Sequence, residues 1–174
     1  MWQRLIVIAG IGVALLLAAG CKGGGSLSLD EYLQRLEDVG EEADRKGEDI
    51  ESPSVDDYDN EPDYLDAVAE ERRERFRLIE DSVDEFKSLK PPSEAKDAHD
   101  RYLDSFGHIL SAFDDLIEGL EASSSIDEAN EVVDRLNAGG SELSNALEDG
   151  RDACRDLQGL ADYNDINVDL KCAE

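Results

Sequence analysis

The chain has 174 residues, of which 17 are basic and 44 acidic, for a formal charge of −27. A surface of that sign repels nucleic acid and anionic lipid headgroups, and favours cations, basic partners or a salty medium. The length suits one domain with a single sizeable core behind a targeting segment.

Arg4 precedes an uncharged apolar run from Leu5 to Ala19, followed by Gly20, Cys21, Lys22 and a run of glycines. A charged start, an apolar stretch and small residues form an export signal. The run falls short of the ~20 residues that a membrane-spanning helix needs, and no basic stop-transfer cluster follows it.

The segment Leu17-Ala18-Ala19-Gly20-Cys21 resembles the lipobox of bacterial lipoproteins. It departs from the commoner pattern at Ala18, where leucine is more usual. The resemblance implies that residues 1–20 are a signal helix that is removed, and that Cys21 carries diacylglycerol and becomes the first residue. It also implies a lipid-anchored protein on the extracytoplasmic face of the cell membrane or outer membrane. Residues 21–27 then form the lipidated cysteine and its glycine-rich tether, which behaves as a flexible coil. Loss of the signal removes Arg4 and no acidic residue, so the mature domain is one unit more negative than the full chain.

Residues 28–174 read as an all-α domain, an up-down-up-down four-helix bundle with a short extended C-terminal strap. Ser28-Leu29-Asp30-Glu31 is a capping-box pattern opening the first helix, whose apolar positions are Leu29, Tyr32, Leu36, Val39, Ala43 and Ile50. The polar loop that follows is rich in aspartate. As a calcium loop it fails, because Pro62 and Val68 stand where glycine and glutamate are required. Asn60 is the expected cap of a second helix from Pro62 to Lys90, with Leu65, Val68, Phe76, Ile79, Val83, Phe86 and Leu89 on its seam. Arg72 interrupts that seam and is expected to snorkel. After Pro91-Pro92 a third helix runs to Glu121 along Ala95, Ala98, Tyr102, Phe106, Ile109, Phe113, Leu116 and Leu120. A second capping box, Ser125 to Glu128, opens the fourth helix. Its seam (Ile126, Ala129, Val133, Leu136, Gly140, Leu143, Leu147, Gly150, Cys154, Leu157, Ala161) keeps phase across Gly139-Gly140-Ser141. The expectation is one long, bent helix. Beyond Tyr163, Ile166, Val168 and Leu170 alternate with polar residues, as an extended strap does.

With Cys21 taken by lipid, Cys154 and Cys172 remain as an even pair in an oxidising compartment, and a disulfide between them is expected. The two histidines, His99 and His108, are nine residues apart on one helix. That is about 900° of rotation and opposite faces, so they do not share a metal. Neither follows a glutamate at the spacing of a di-iron bundle: Lys96 and Ser105 occupy those positions. No nucleophile elbow, phosphate loop or zinc-helix motif occurs. Catalytic residues, metal ligands and cofactors are therefore expected to be none. The expected function is a structural or interaction module of the cell envelope, with a membrane contact through Cys21 and a basic envelope partner. The competing expectation is a binding protein for a cation or small ligand between the helices. Pro91-Pro92 to His99 and the Cys154 to Cys172 segment are also similar to other exported helical lipoproteins of bacteria, a resemblance that implies no activity.

Overall fold

Four of the five helices begin at a side chain, Ser28, Asn60, Ser125 or Ser141, that satisfies a free N–H group of the first turn; the helix that opens at Lys96 follows Ala95 and has no such cap. The computed structural model describes residues 25–172; the signal segment 1–20 and Cys21 lie outside them. The described residues form five α-helices and no strand: α1 Leu29–Glu48, α2 Glu61–Ser88, α3 Lys96–Ala122, α4 Ile126–Leu136 and α5 Glu142–Tyr163.

The first capping box is present in full. Glu31 N–H donates to Ser28 Oγ and Ser28 N–H donates to Glu31 Oε2, both at 3.3 Å. Asn60 caps α2 by accepting from Asp63 N–H at 3.0 Å. The second box is half present. Ser125 Oγ accepts from Glu128 N–H at 3.3 Å, but the Glu128 carboxylate reaches one residue further back, to Ser124 N–H at 2.7 Å. That hydrogen bond, with a second from the Ser124 hydroxyl, holds the Glu128 carboxyl below its ordinary range. The start of α4 is also tied to α2, because Ile126 N–H donates to the Glu61 carboxylate at 3.0 Å.

The single long fourth helix is not what forms. The chain leaves α4 at Asn137 and re-enters a helix at Ser141. Gly140 lies at φ +81°, a conformation that glycine adopts without a Cβ clash. Ser141 then does two jobs: its hydroxyl donates to Leu136 O at 2.7 Å and accepts from Ser144 N–H at 3.1 Å. A glycine in the left-handed region plus a serine cap outweigh a continuous apolar pattern. The pattern was itself misleading, since Val133 and Leu147 on the expected seam are 36% and 46% exposed. Further along α5 the expected seam holds: Gly150, Cys154, Leu157 and Ala161 are buried, joined by Ala146 and Ala153, which the seam did not include. These small residues bring α5 close to α3. A Cβ at Gly150 would lie 2.8 Å from Ser105 Oγ, and one at Gly119 would lie 2.5 Å from a Val132 methyl on α4.

Helix α5 ends in a Schellman arrangement. Ile166 N–H donates to Ala161 O at 2.9 Å and Asp165 N–H to Asp162 O at 3.4 Å, with Asp165 at φ +54°. The chain turns back there, and Cys154 and Cys172 meet with sulfurs 1.99 Å and Cα atoms 5.6 Å apart.

The main core lies at the end of the molecule where α1 starts, α2 ends, α3 starts and α5 ends. Tyr32, Leu33, Phe86, Ala98, Leu157 and Val168 are among its members, and Ile166 and Leu170 pack against it. A second, smaller core of Leu65, Ala69, Leu120 and Ala129 sits at the opposite end.

Candidate binding cleft

Between the two cores the helices do not fill their shared space. A cleft of about 300 Å³ opens among α1, α2, α3, Cys154 of α5 and the C-terminal segment. Helix α1 contributes Leu36, Val39 and Ala43, and α2 contributes Ile79, Val83 and Phe86. Tyr102 and Phe106 of α3 complete the apolar wall, their rings edge-on to each other with centroids 4.8 Å apart. The α1 and α2 residues stand on the seams that the apolar periodicity marks, three and four residues apart, so one stripe serves both core and cleft.

The remaining wall is the segment Asp169-Leu170-Lys171. Its backbone finds partners on side chains of two helices. Gln158 of α5 donates to Val168 O at 3.1 Å and accepts from Leu170 N–H at 3.0 Å, as a strand neighbour would. Glu37 of α1 accepts from Asp169 N–H at 2.7 Å, and Lys171 Nζ approaches the Asp44 carboxylate at 3.4 Å. The disulfide-distance pair Cys154–Cys172 closes this segment immediately beyond Lys171.

The rim is acidic. Glu37, Glu41, Asp44 and Asp169 line it against the single cation Lys171. Glu41 has no hydrogen-bond or ion-pair partner among the described residues, whereas the other three carboxylates are engaged with the C-terminal segment.

Both histidines go where the helical rotation sends them, to opposite faces. His99 is buried at 4% exposure. Its Nδ1 lies 3.1 Å from the Tyr32 hydroxyl, and its ring packs 4.5 Å from Phe86. Burial pushes the imidazole pKa down and the Tyr32 phenol up, so a neutral ring and a protonated phenol share this hydrogen bond. His108 is exposed and reaches Glu142 of α5 at 2.7 Å.

Arg72 lies partly exposed with Nε 3.3 Å from Glu71, in keeping with a snorkelling side chain that ends on a carboxylate. Glu71 itself has no counterpart in the sequence reading. It is 6% exposed, accepts from Arg75 Nε, and meets Ser52 Oγ at 3.4 Å. The Arg75 guanidinium continues to Gly47 O at 3.3 Å and Ile50 O at 3.1 Å. It thereby satisfies carbonyls at the C-terminus of α1, where the helix dipole favours positive charge. This network docks the α1–α2 loop. The (i, i+4) spacing of Glu71 and Arg75 was its only sequence signal, and surface pairs share that spacing.

Among the described residues, no group of three or more His, Cys, Asp or Glu is placed to hold a metal ion, and no helix is long and apolar enough to cross a membrane. No protein family, curated protein or solved structure matches the chain.

Proposed function

We propose that the protein is a lipid-anchored, extracytoplasmic helical module that works by binding, and that the interhelical cleft is its binding surface. In this reading Cys21 carries the lipid, residues 22–27 hold the domain away from the bilayer, and the protein is not an enzyme. Helices α4 and α5 serve as two halves of the fourth leg of an up-down-up-down bundle, and residues 164–172 serve as its strap. The observation that carries the reading is the cleft: about 300 Å³, lined mostly by apolar side chains with a few polar and charged groups among them. That is the lower end of the size range of small-molecule sites and has their usual composition.

A thermal-shift screen of the purified chain against metal ions, cell-envelope fragments, basic peptides and small amphiphiles tests it. A saturable rise in melting temperature that disappears when the cleft is filled by mutation is the expected result. Metabolic labelling with a fatty-acid analogue tests the anchor, with label on the wild type and none on Cys21→Ala.

The interaction-module reading has an observation of its own. Leu147 is exposed beside a shallow depression lined by Leu136, Leu143 and Arg151 at the α4–α5 joint. Loss of a pulled-down envelope partner on Leu147→Asp, with the cleft intact, would favour that surface.

A further inference from the structure

Resting on the binding reading above, we infer that the cleft takes a small amphiphilic cation: an alkyl or aryl body ending in an ammonium or guanidinium group. Charge decides the sign of the ligand. The mouth carries four carboxylates and one lysine, on a chain whose formal charge is −27. Apolar walls beside a charged rim lower the local dielectric and strengthen whatever charge interaction occurs there. A fatty acid or phosphate ester would seat its anion among like charges, while a cation meets opposite ones.

The occupancy of the rim says where the head group goes. Glu37, Asp44 and Asp169 already hold the C-terminal segment in place, and Glu41 has no partner among the described residues. One turn of α1 thus offers a free carboxylate at the edge of an apolar pocket. The aromatic rings of Tyr102 and Phe106 in the wall add a surface that tolerates a nearby cation.

Size decides between a small molecule and a peptide. A volume of about 300 Å³ holds about ten groups of the ~30 Å³ that one water molecule takes in the liquid. One turn of a helix, ~10 Å across and ~5.4 Å long, takes up roughly 400 Å³, more than the cleft's volume of about 300 Å³.

Gly40 supplies the way in. It lies in the interior of α1, lines the cleft, and a Cβ there would touch nothing within 4 Å. Glycine is a poor helix former. Neither a turn nor a close neighbour calls for it here, so its effect is to leave the mouth open beside Glu41.

The test is titration calorimetry on the full chain carrying Cys21→Ser, so that no acyl chain competes. The probes are n-decylammonium, decanoate and decanol, each below its micelle-forming concentration, and a basic amphipathic peptide. Decylammonium is expected to bind one to one and at least tenfold more tightly than decanoate. Glu41→Gln should weaken it by about two- to fivefold, the span of a partly exposed charge pair. Gly40→Leu, which favours the helix while filling the mouth, should abolish binding, and Gly159→Leu, on the open surface of α5, should leave it unchanged. Decanoate or decanol binding as tightly as the cation would overturn the charge assignment while leaving the cleft as a site. Binding of the peptide alone would overturn the small-molecule assignment. No binding by any probe, or full binding to Gly40→Leu, would sink the cleft reading itself.

Discussion

The two ends of this domain are built to different standards. At one end Tyr32, Leu33, Leu157 and Ala161 are fully buried, a Tyr–His hydrogen bond crosses the core, and a disulfide-closed segment packs over it. At the other, only Leu65, Ala69, Leu120 and Ala129 form the core, and α4 is an 11-residue helix. Large side chains and a covalent closure hold the first end. Small residues, caps and interhelical hydrogen bonds such as Glu61 to Ile126 hold the second. The cleft sits against the well-built end, which gives it fixed walls and lets the far end tolerate the Gly140 break.

Truncating one leucine at each end gives the largest expected contrast. Leu157→Ala removes a fully buried side chain and should cost about 3–4 kcal/mol, while Leu65→Ala, in the thinner core, should cost about 2 kcal/mol. Urea unfolding of both variants measures the difference, and equal losses would erase the asymmetry.

Next in size is the covalent closure. Cys154 and Cys172 are 18 positions apart, and a loop of that length contributes about 3 kcal/mol in the chain-entropy account. Reduction should free residues 166–172, weaken ligand binding by removing one cleft wall, and leave the far-ultraviolet helical signal in place. Mass spectrometry of the non-reduced exported protein should show the 154–172 link. Two freely alkylatable thiols there would remove this support from the stronger end.

The smallest effect is a pH slope from His99. Burial lowers its folded pKa below the ordinary value of 6.5, opposed by Asp100 and reinforced by Lys96. The unfolded chain therefore binds the proton first as pH falls, so this contribution to stability is complete above about 6.5 and shrinks below it, until the folded pKa is reached. The gap between the melting temperatures of wild type and His99→Gln, followed from pH 7.5 to 5, should stay constant above about 6.5 and narrow below it. A constant offset would mean that the buried ring does not titrate as its surroundings dictate.

Local signals in the sequence were good guides wherever the physics was local. Ser28, Asn60 and Ser125 mark three helix starts because a capping side chain acts within three residues. The all-α class follows from the same stripes of three- and four-residue spacing. The reading failed at Gly140 because leucines at 143 and 147 extended the seam in phase, while the buried positions in the first turns of α5 are Ala146 and Gly150. Small residues bury well but carry little apolar weight in a periodicity. The cleft was not legible at all. It is a shortfall of volume where five segments meet, and no single segment records it. Glu41 is one carboxylate among many until the structure shows that Glu37, Asp44 and Asp169 are occupied and it is not. The opposite faces of His99 and His108 were legible from the rotation of one helix, and the Tyr32 partner of His99, 67 positions away, was not.

The central claim is that the cleft at the well-built end is the working surface and that the α4–α5 joint is not. Hydrogen–deuterium exchange of the full chain with saturating decylammonium tests it most directly. The account predicts slower exchange in residues 36–44, 79–86 and 166–172, with residues 126–147 unchanged. Protection confined to 126–147, or none anywhere under conditions where the ligand is bound, would contradict it.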